Sequence, residues 1–106
     1  MRYVDTCHQT VWYTETMEFD WDPNKALHNL KKHGVDFQEA ATVFADLFSI
    51  TYPDPDHSDD EDRFVMIGLS KQNRLLIVAH TDREGFTRII SAREVIRKER
   101  KLYETN

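Results

Sequence analysis

Arg63-Phe-Val-Met-Ile-Gly-Leu-Ser-Lys-Gln-Asn-Arg-Leu-Leu-Ile-Val-Ala-His-Thr81 is the stretch on which the fold class turns. Two apolar, β-rich runs, Arg63 to Ser70 and Arg74 to Thr81, flank Lys71-Gln-Asn73 and read as a hairpin in which Asn73 takes a left-handed conformation. A second turn follows at Asp82-Arg-Glu-Gly85, with Gly85 suited to a bulge position, and Phe86 to Ile90 is the next strand. Upstream, Leu47 to Tyr52 reads as a strand ended by Pro53 and Pro55. Strands joined by such short connections make an antiparallel meander.

The rest of the chain supplies what covers that sheet. Met17-Glu-Phe-Asp-Trp21 alternates apolar and acidic residues, as a strand with one buried face does. Asp22 then caps a helix that has Pro23 at its first position, where the missing N–H costs nothing. This helix runs to about His33 and stops at Gly34. Ala26, Leu27 and Leu30 mark its expected buried side, and Lys25, His28, Asn29 and Lys32 form a polar, cationic stripe. Asp36-Phe-Gln-Glu39 reads as a capping box with Glu39 reaching back, opening a second helix through Ala40, Ala41, Val43 and Phe44. Ser91-Ala-Arg-Glu94 reads as another, opening a final helix with Ala92, Val95, Ile96, Leu102 and Tyr103 inward. Thr10 to Thr14 has the content of one more short strand. From residue 17 the order is β-α-α-β-β-β-β-α, which implies an α+β domain with an antiparallel sheet packed against helices.

With 106 residues the chain fits one small domain. Its 40% hydrophobic and 31% charged residues are those of a folded, soluble protein. No apolar run reaches a membrane span and no signal peptide opens the chain, so the cytoplasm is the expected compartment. The lone Cys7 forms no internal disulfide and excludes a Cys-rich zinc module. The net charge of −5 argues against nucleic acid, yet it is unevenly placed. The acids from Asp54 to Asp62 outweigh that total, while Arg93, Arg97, Lys98, Arg100 and Lys101 crowd the end of the chain, and a ligand meets the local field.

Three arginines emanate from the same small sheet: Arg63, Arg88 and Arg93. A guanidinium offers bidentate phosphate recognition and a helix N-terminus favours anions, so Arg88 beside Arg93 would clamp a phosphate. The plain alternative is that they pair with the acidic loop. His80 is the best acid/base candidate because imidazole titrates near neutrality, although a strand histidine is more often a core residue. Asp54, Asp56, His57, Asp59 and Asp62 invite a metal, but the loop lacks the calcium-loop pattern and its glycine, so no metal site is assigned. Trp12, Trp21 and Tyr103 are expected in the core or at its rim.

Phe19-Asp-Trp-Asp-Pro-Asn-Lys25, Asn29 to Val35 and Phe37-x-Glu-Ala40, then Pro53-Asp-Pro-Asp-His-Ser-Asp59, Glu61-x-Arg-Phe64 and Arg88-Ile-Ile-Ser-Ala-Arg93 with Glu99-Arg100 and Tyr103, together resemble the BrnT family of bacterial type II toxins. The resemblance spans Met17 to about Glu104 and leaves residues 1–16 as an extension to a single domain of residues 17–106. It implies a RelE-like fold and a ribonuclease that needs no metal or cofactor, silenced by a cognate BrnA-type antitoxin. Operator DNA would be reached only through the antitoxin complex, and a homodimer is left open. Within that frame Arg63, Arg88 and Arg93 are cast as phosphate clamps, His80 as the proton-transfer group and Tyr103 as a polar helper. Lys25, Lys32 and His33 are cast as RNA-backbone contacts, with Arg97 and Arg100 as RNA or antitoxin contacts. The rival reading is a non-catalytic module whose basic surface docks the antitoxin.

Overall fold

The structure, a computed structural model, describes residues 2–6, 9–13, 18–54 and 62–105. Among these residues seven strands form one sheet: β1 (Arg2–Thr6), β2 (Gln9–Tyr13), β3 (Glu18–Trp21), β4 (Ile50–Pro53), β5 (Arg63–Leu69), β6 (Leu75–Arg83) and β7 (Phe86–Glu94). Between β3 and β4 lie α1 (Pro23–His33), α2 (Phe37–Thr42) and a tight 3-10 turn at Val43–Ala45; α3 (Arg97–Glu104) closes the described chain. The spatial order is β1-β2-β3-β7-β6-β5-β4. β4 to β7 form the expected antiparallel meander, but β3 runs parallel to β7, so the sheet is mixed. The parallel pair arises because the helical segment and the meander intervene before the chain returns beside β3.

The turn chemistry carries the local geometry. Asp22 accepts a hydrogen bond from the Asn24 N–H (2.8 Å) at the head of α1, and Gly34 ends the helix at φ 71°. Asn73 (φ 63°) and Gly85 (φ 84°) hold the two hairpin turns. Asp36 caps α2 by accepting from the Glu39 N–H (2.7 Å). Glu39 does not reach back to complete a box. Its buried carboxylate accepts from Ser70 Oγ (2.8 Å) and Arg74 Nε (2.9 Å) and pairs with the Arg74 guanidinium, tying α2 to the β5–β6 turn.

Each face of the sheet has its own core. Phe19, Trp21, Leu76, Val78, Ile89 and Ala92 face α1 and α2, packing on Val35, Phe37, Ala40, Ala41 and Val43. Val65, Ile67, Leu75 and Ile77 face the other way, toward Val95 and Tyr103 at α3.

Three expectations, two about helices and one about a strand, fail for identifiable reasons. Ser91 to Glu94 is strand, because β6 is long enough to pair through Ile77–Arg93 and Leu76–Glu94. Helix α3 therefore starts at Arg97, and Ala92 is a strand residue. Leu27 and Leu30 on α1 are exposed, and the inward position belongs to Asn29, which is 4% exposed. β3 meets β7 only at Thr87 and Arg88, so beyond Arg88 that side of β7 has no strand among the described residues. Asn29 takes a strand's place there: its Oδ1 accepts from the Ala92 N–H (3.1 Å), and its Nδ2 donates to the Ala92 carbonyl (2.8 Å) and the Val35 carbonyl (3.0 Å). Finally, β4 begins at Ile50, not Leu47. Asp46 accepts from the Phe48 N–H (3.0 Å) and folds residues 46–49 into a turn that leaves Leu47 95% and Phe48 76% exposed.

Candidate functional site

Side chains directly opposite one another in a ladder share a face. Arg63 stands opposite Thr81, Thr81 opposite Arg88, and Arg88 opposite Asp20, forming one row across β5, β6, β7 and β3. Two rows further along, Ile67, Ile77 and Arg93 are opposite one another. All three arginines thus project from the face that carries α3. His80 pairs with Phe64 and Ile89 on the opposite face.

Between α3 and this face lies a cleft of about 750 Å³ whose wall includes His33, Tyr52, Asp54, Arg63, Ser91, Arg93, Lys98 and Glu99 over a floor of Val65, Ile77 and Ala79. Arg93 is held by a two-pronged pair with Glu99, Nη1 to Oε1 at 2.8 Å and Nη2 to Oε2 at 2.8 Å. Glu99 also accepts from the Ile96 N–H (2.9 Å), so the residue that orients Arg93 fastens the start of α3 as well. The Arg93 hydrogen bonds hold the Glu99 carboxyl below its ordinary range. Burial, and then the charge of Glu99, pushes the Tyr52 phenol up, so it stays protonated at neutral pH. Burial and the charges of Lys32, Arg93 and His28 lower His33, which is therefore mostly neutral at pH 7. The cleft thus unites cations for an anionic centre, a neutral imidazole for accepting a proton and a phenol for donating one.

A second cleft of about 380 Å³ adjoins the first, sharing His33, Ile90 and Ser91 and adding Asn24, Lys25, His28, Asn29 and Lys32 from α1. The two meet at the strand-free side of β7. At the same level, on the opposite edge of β7, the β6–β7 register steps between Ala79 and His80, leaving Ile90 with no counterpart on β6.

Some expected site residues lie elsewhere. His80 is 3% exposed, its ring edge-on to Phe44 (4.8 Å between centroids) and stacked on Phe64 (5.9 Å), and burial lowers its pKa. It fills the core opposite the cleft and is not placed to meet a substrate. Arg88 is on the correct face but off the cleft wall, its Nη1 2.9 Å from the buried Asp20 carboxylate. Tyr103 packs under α3 and donates to Asp46 Oδ2 (2.7 Å), an acceptor that pushes its phenol up to about 12. Arg93 is not in the first turn of a helix, so the expected clamp at a helix N-terminus is absent. Arg97 and Arg100 are exposed on α3 and line neither cleft. Lys25, Lys32 and His33 do converge, in the second cleft. Asp56, His57, Asp59, Cys7 and His8 lie outside the described residues, and among the described ones no group of three metal-ligating side chains is gathered. No helix among them is long and apolar enough to cross a membrane.

Tyr52, Ser91 and Glu99 are cleft residues that the sequence did not mark as site residues. The signal for Glu99 is its spacing of six from a strand arginine, which becomes informative only once the strand end is known.

The fold is similar to the 1.1 Å crystal structure of the Brucella abortus ribonuclease toxin BrnT, with a TM-score of 0.53 at 22% identity, covering 73% of this chain and 94% of that one. No curated protein sequence matches the chain. The model of the ribonuclease toxin BrnT of type II toxin–antitoxin systems matches residues 21–99, a segment that holds Arg63, Arg93, His33 and Tyr52 together, and the chain belongs to the BrnT toxin family.

Proposed function

We propose that this protein is a toxin that cuts RNA in the cleft under α3, without a metal, and arrests growth until a BrnA-type antitoxin silences it. The observation that carries the reading is the convergence of Arg63, Arg93, His33 and Tyr52 on one cleft wall. RNA scission by the neighbouring 2′-hydroxyl needs charge stabilisation at phosphorus and two proton transfers, and these residues supply each. His33 takes the proton of the 2′-hydroxyl as its oxygen bonds to phosphorus. Arg63 and Arg93 stabilise the charge on the phosphoryl oxygens. The bond from phosphorus to the 5′-oxygen then breaks, and Tyr52 gives that oxygen a proton. The products are a 2′,3′-cyclic phosphate and a 5′-hydroxyl. In this reading the fold is RelE-like, the action is cytoplasmic, residues 1–16 are an extension of the toxin domain, and operator DNA is met only through the antitoxin complex.

The test is cleavage of single-stranded RNA by purified protein in EDTA, with the product ends identified. Arg93→Ala and Arg63→Ala are each expected to lower kcat/KM by about 10²- to 10³-fold, the size seen when a charge-stabilising group is removed. Because a base works only when deprotonated and His33 is shifted down, the acid limb of the wild-type profile is expected below pH 6.5. His33→Ala is expected to remove that limb. Full activity or undiminished growth arrest in both arginine variants would overturn the proposal.

A further inference from the structure

The second cleft has a charge pattern unlike the first. Asp54 and Glu99 temper the cations of the first, whereas the titratable side chains lining the second are Lys25, His28, Lys32 and His33, with no carboxylate among them. Helix α1 itself carries three lysines, two histidines and no acid. Among the described residues none of its lysines is held in an ion pair. In a chain of net charge −5 this is a concentrated positive field, and its complement is a polyanion.

The cleft also offers what a base needs. The His28 imidazole presents a face for stacking, and Ile90 supplies an apolar wall. The Asn24 amide and the Ser91 hydroxyl each both donate and accept, as reading a base edge requires. Asn29 fixes the arrangement, because its three hydrogen bonds to Ala92 and Val35 hold α1 against β7. His33 belongs to both clefts, which sets the direction of the strand.

Resting on the proposed chemistry at His33, we infer that the second cleft seats the base of the nucleotide whose 2′-hydroxyl attacks, and so selects the nucleotide on the 5′ side of the cut. Lys25 and Lys32 hold the phosphates leading into it, and Asn24 and His28 read and stack the base. RNA enters along α1 and presents its scissile phosphate to Arg63 and Arg93.

Two readouts on the full chain test this. The first is affinity for a short, single-stranded, all-2′-deoxy oligonucleotide, which lacks the nucleophile and reports binding whether or not the protein cuts. Lys25→Glu and His28→Ala are each expected to weaken it on the order of tenfold, the scale of one lost stacking or phosphate contact. Lys31→Glu makes the same charge change as Lys25→Glu on an exposed α1 residue that lines neither cleft, and is expected to change affinity much less. The second is the identity of the nucleotide at the cyclic-phosphate end after cutting RNA of randomised sequence. Asn24→Ala and His28→Ala are expected to broaden it. Wild-type affinity in Lys25→Glu and His28→Ala, or an equal loss in Lys31→Glu, overturns the inference, as does an unchanged end nucleotide in both cleft variants. Resistance of the Lys25→Glu variant to antitoxin with wild-type oligonucleotide binding also overturns it, by assigning the surface to protein instead. Loss of oligonucleotide binding in a protein that never cuts would support the seat while rejecting the catalytic reading.

Discussion

Glu39 and Arg74 form an ion pair buried on one side: the carboxylate is enclosed, and the guanidinium is about a third exposed. Removing Glu39 takes away the short bonds that hold the Arg74 guanidinium and leaves it only the longer contact with Glu94 (3.8 Å) to balance its charge. Glu39→Ala is therefore expected to cost about 3 kcal/mol, read from the urea midpoint. Its pH dependence has a definite sign. The Arg74 hydrogen bonds hold the Glu39 pKa below its ordinary 4.5, so the pair stabilises the protein above that value and the contribution is lost as pH falls through the depressed one. Acid titration of Glu39→Ala should lack that component of wild-type unfolding. Asp20 behaves differently, for burial raises its carboxyl and the Arg88 charge opposes the rise without cancelling it.

Strand β5 shows how an element is fixed by what lies over it. A Cβ at Gly68 would stand 2.7 Å from Val43 Cγ1 and 3.0 Å from Ser49 Cβ, so the strand and the 3-10 turn touch only because glycine is there. Gly68→Ala is expected to destabilise the fold by about 1 to 3 kcal/mol, measured by thermal or urea unfolding, as overpacking commonly does. Caps and turns were the legible part of the sequence: Asp22, Gly34, Asp36, Asn73 and Gly85 all act locally, within a few residues of themselves. Pairing was less so. Ser91 to Glu94 has a helix-start pattern, but the apolar length of β6 decides its conformation from a distant part of the chain. The same blindness affected the site. Arginines could be nominated by type, but only the ladder register shows that Arg63 and Arg93 share a cleft while His80 lies behind it. Asn29 was counted with the solvent-facing stripe because nothing local announces that the side of β7 beside it lacks a strand.

At the scale of the whole molecule, one sheet carries two unequal covers. Helices α1 and α2 are anchored through Asn29, Glu39 and a broad apolar core. Helix α3 contains no buried residue and is held by Val95 and Tyr103, the Tyr103–Asp46 hydrogen bond and the Arg93–Glu99 pair. That asymmetry has a consequence in time. The amides of Arg100 to Glu104 are expected to exchange with deuterium through a partial opening of the C-terminal helix, far faster than those of β6, whose exchange requires global unfolding. Mass spectrometry of the exchanging protein checks this, and equal protection of α3 and β6 would contradict it. Tyr103→Phe should quicken the helix's exchange further. The roof of the cleft is thus its least durable part, and the interval for which Arg93 remains engaged with Glu99 is set by the lifetime of that helix.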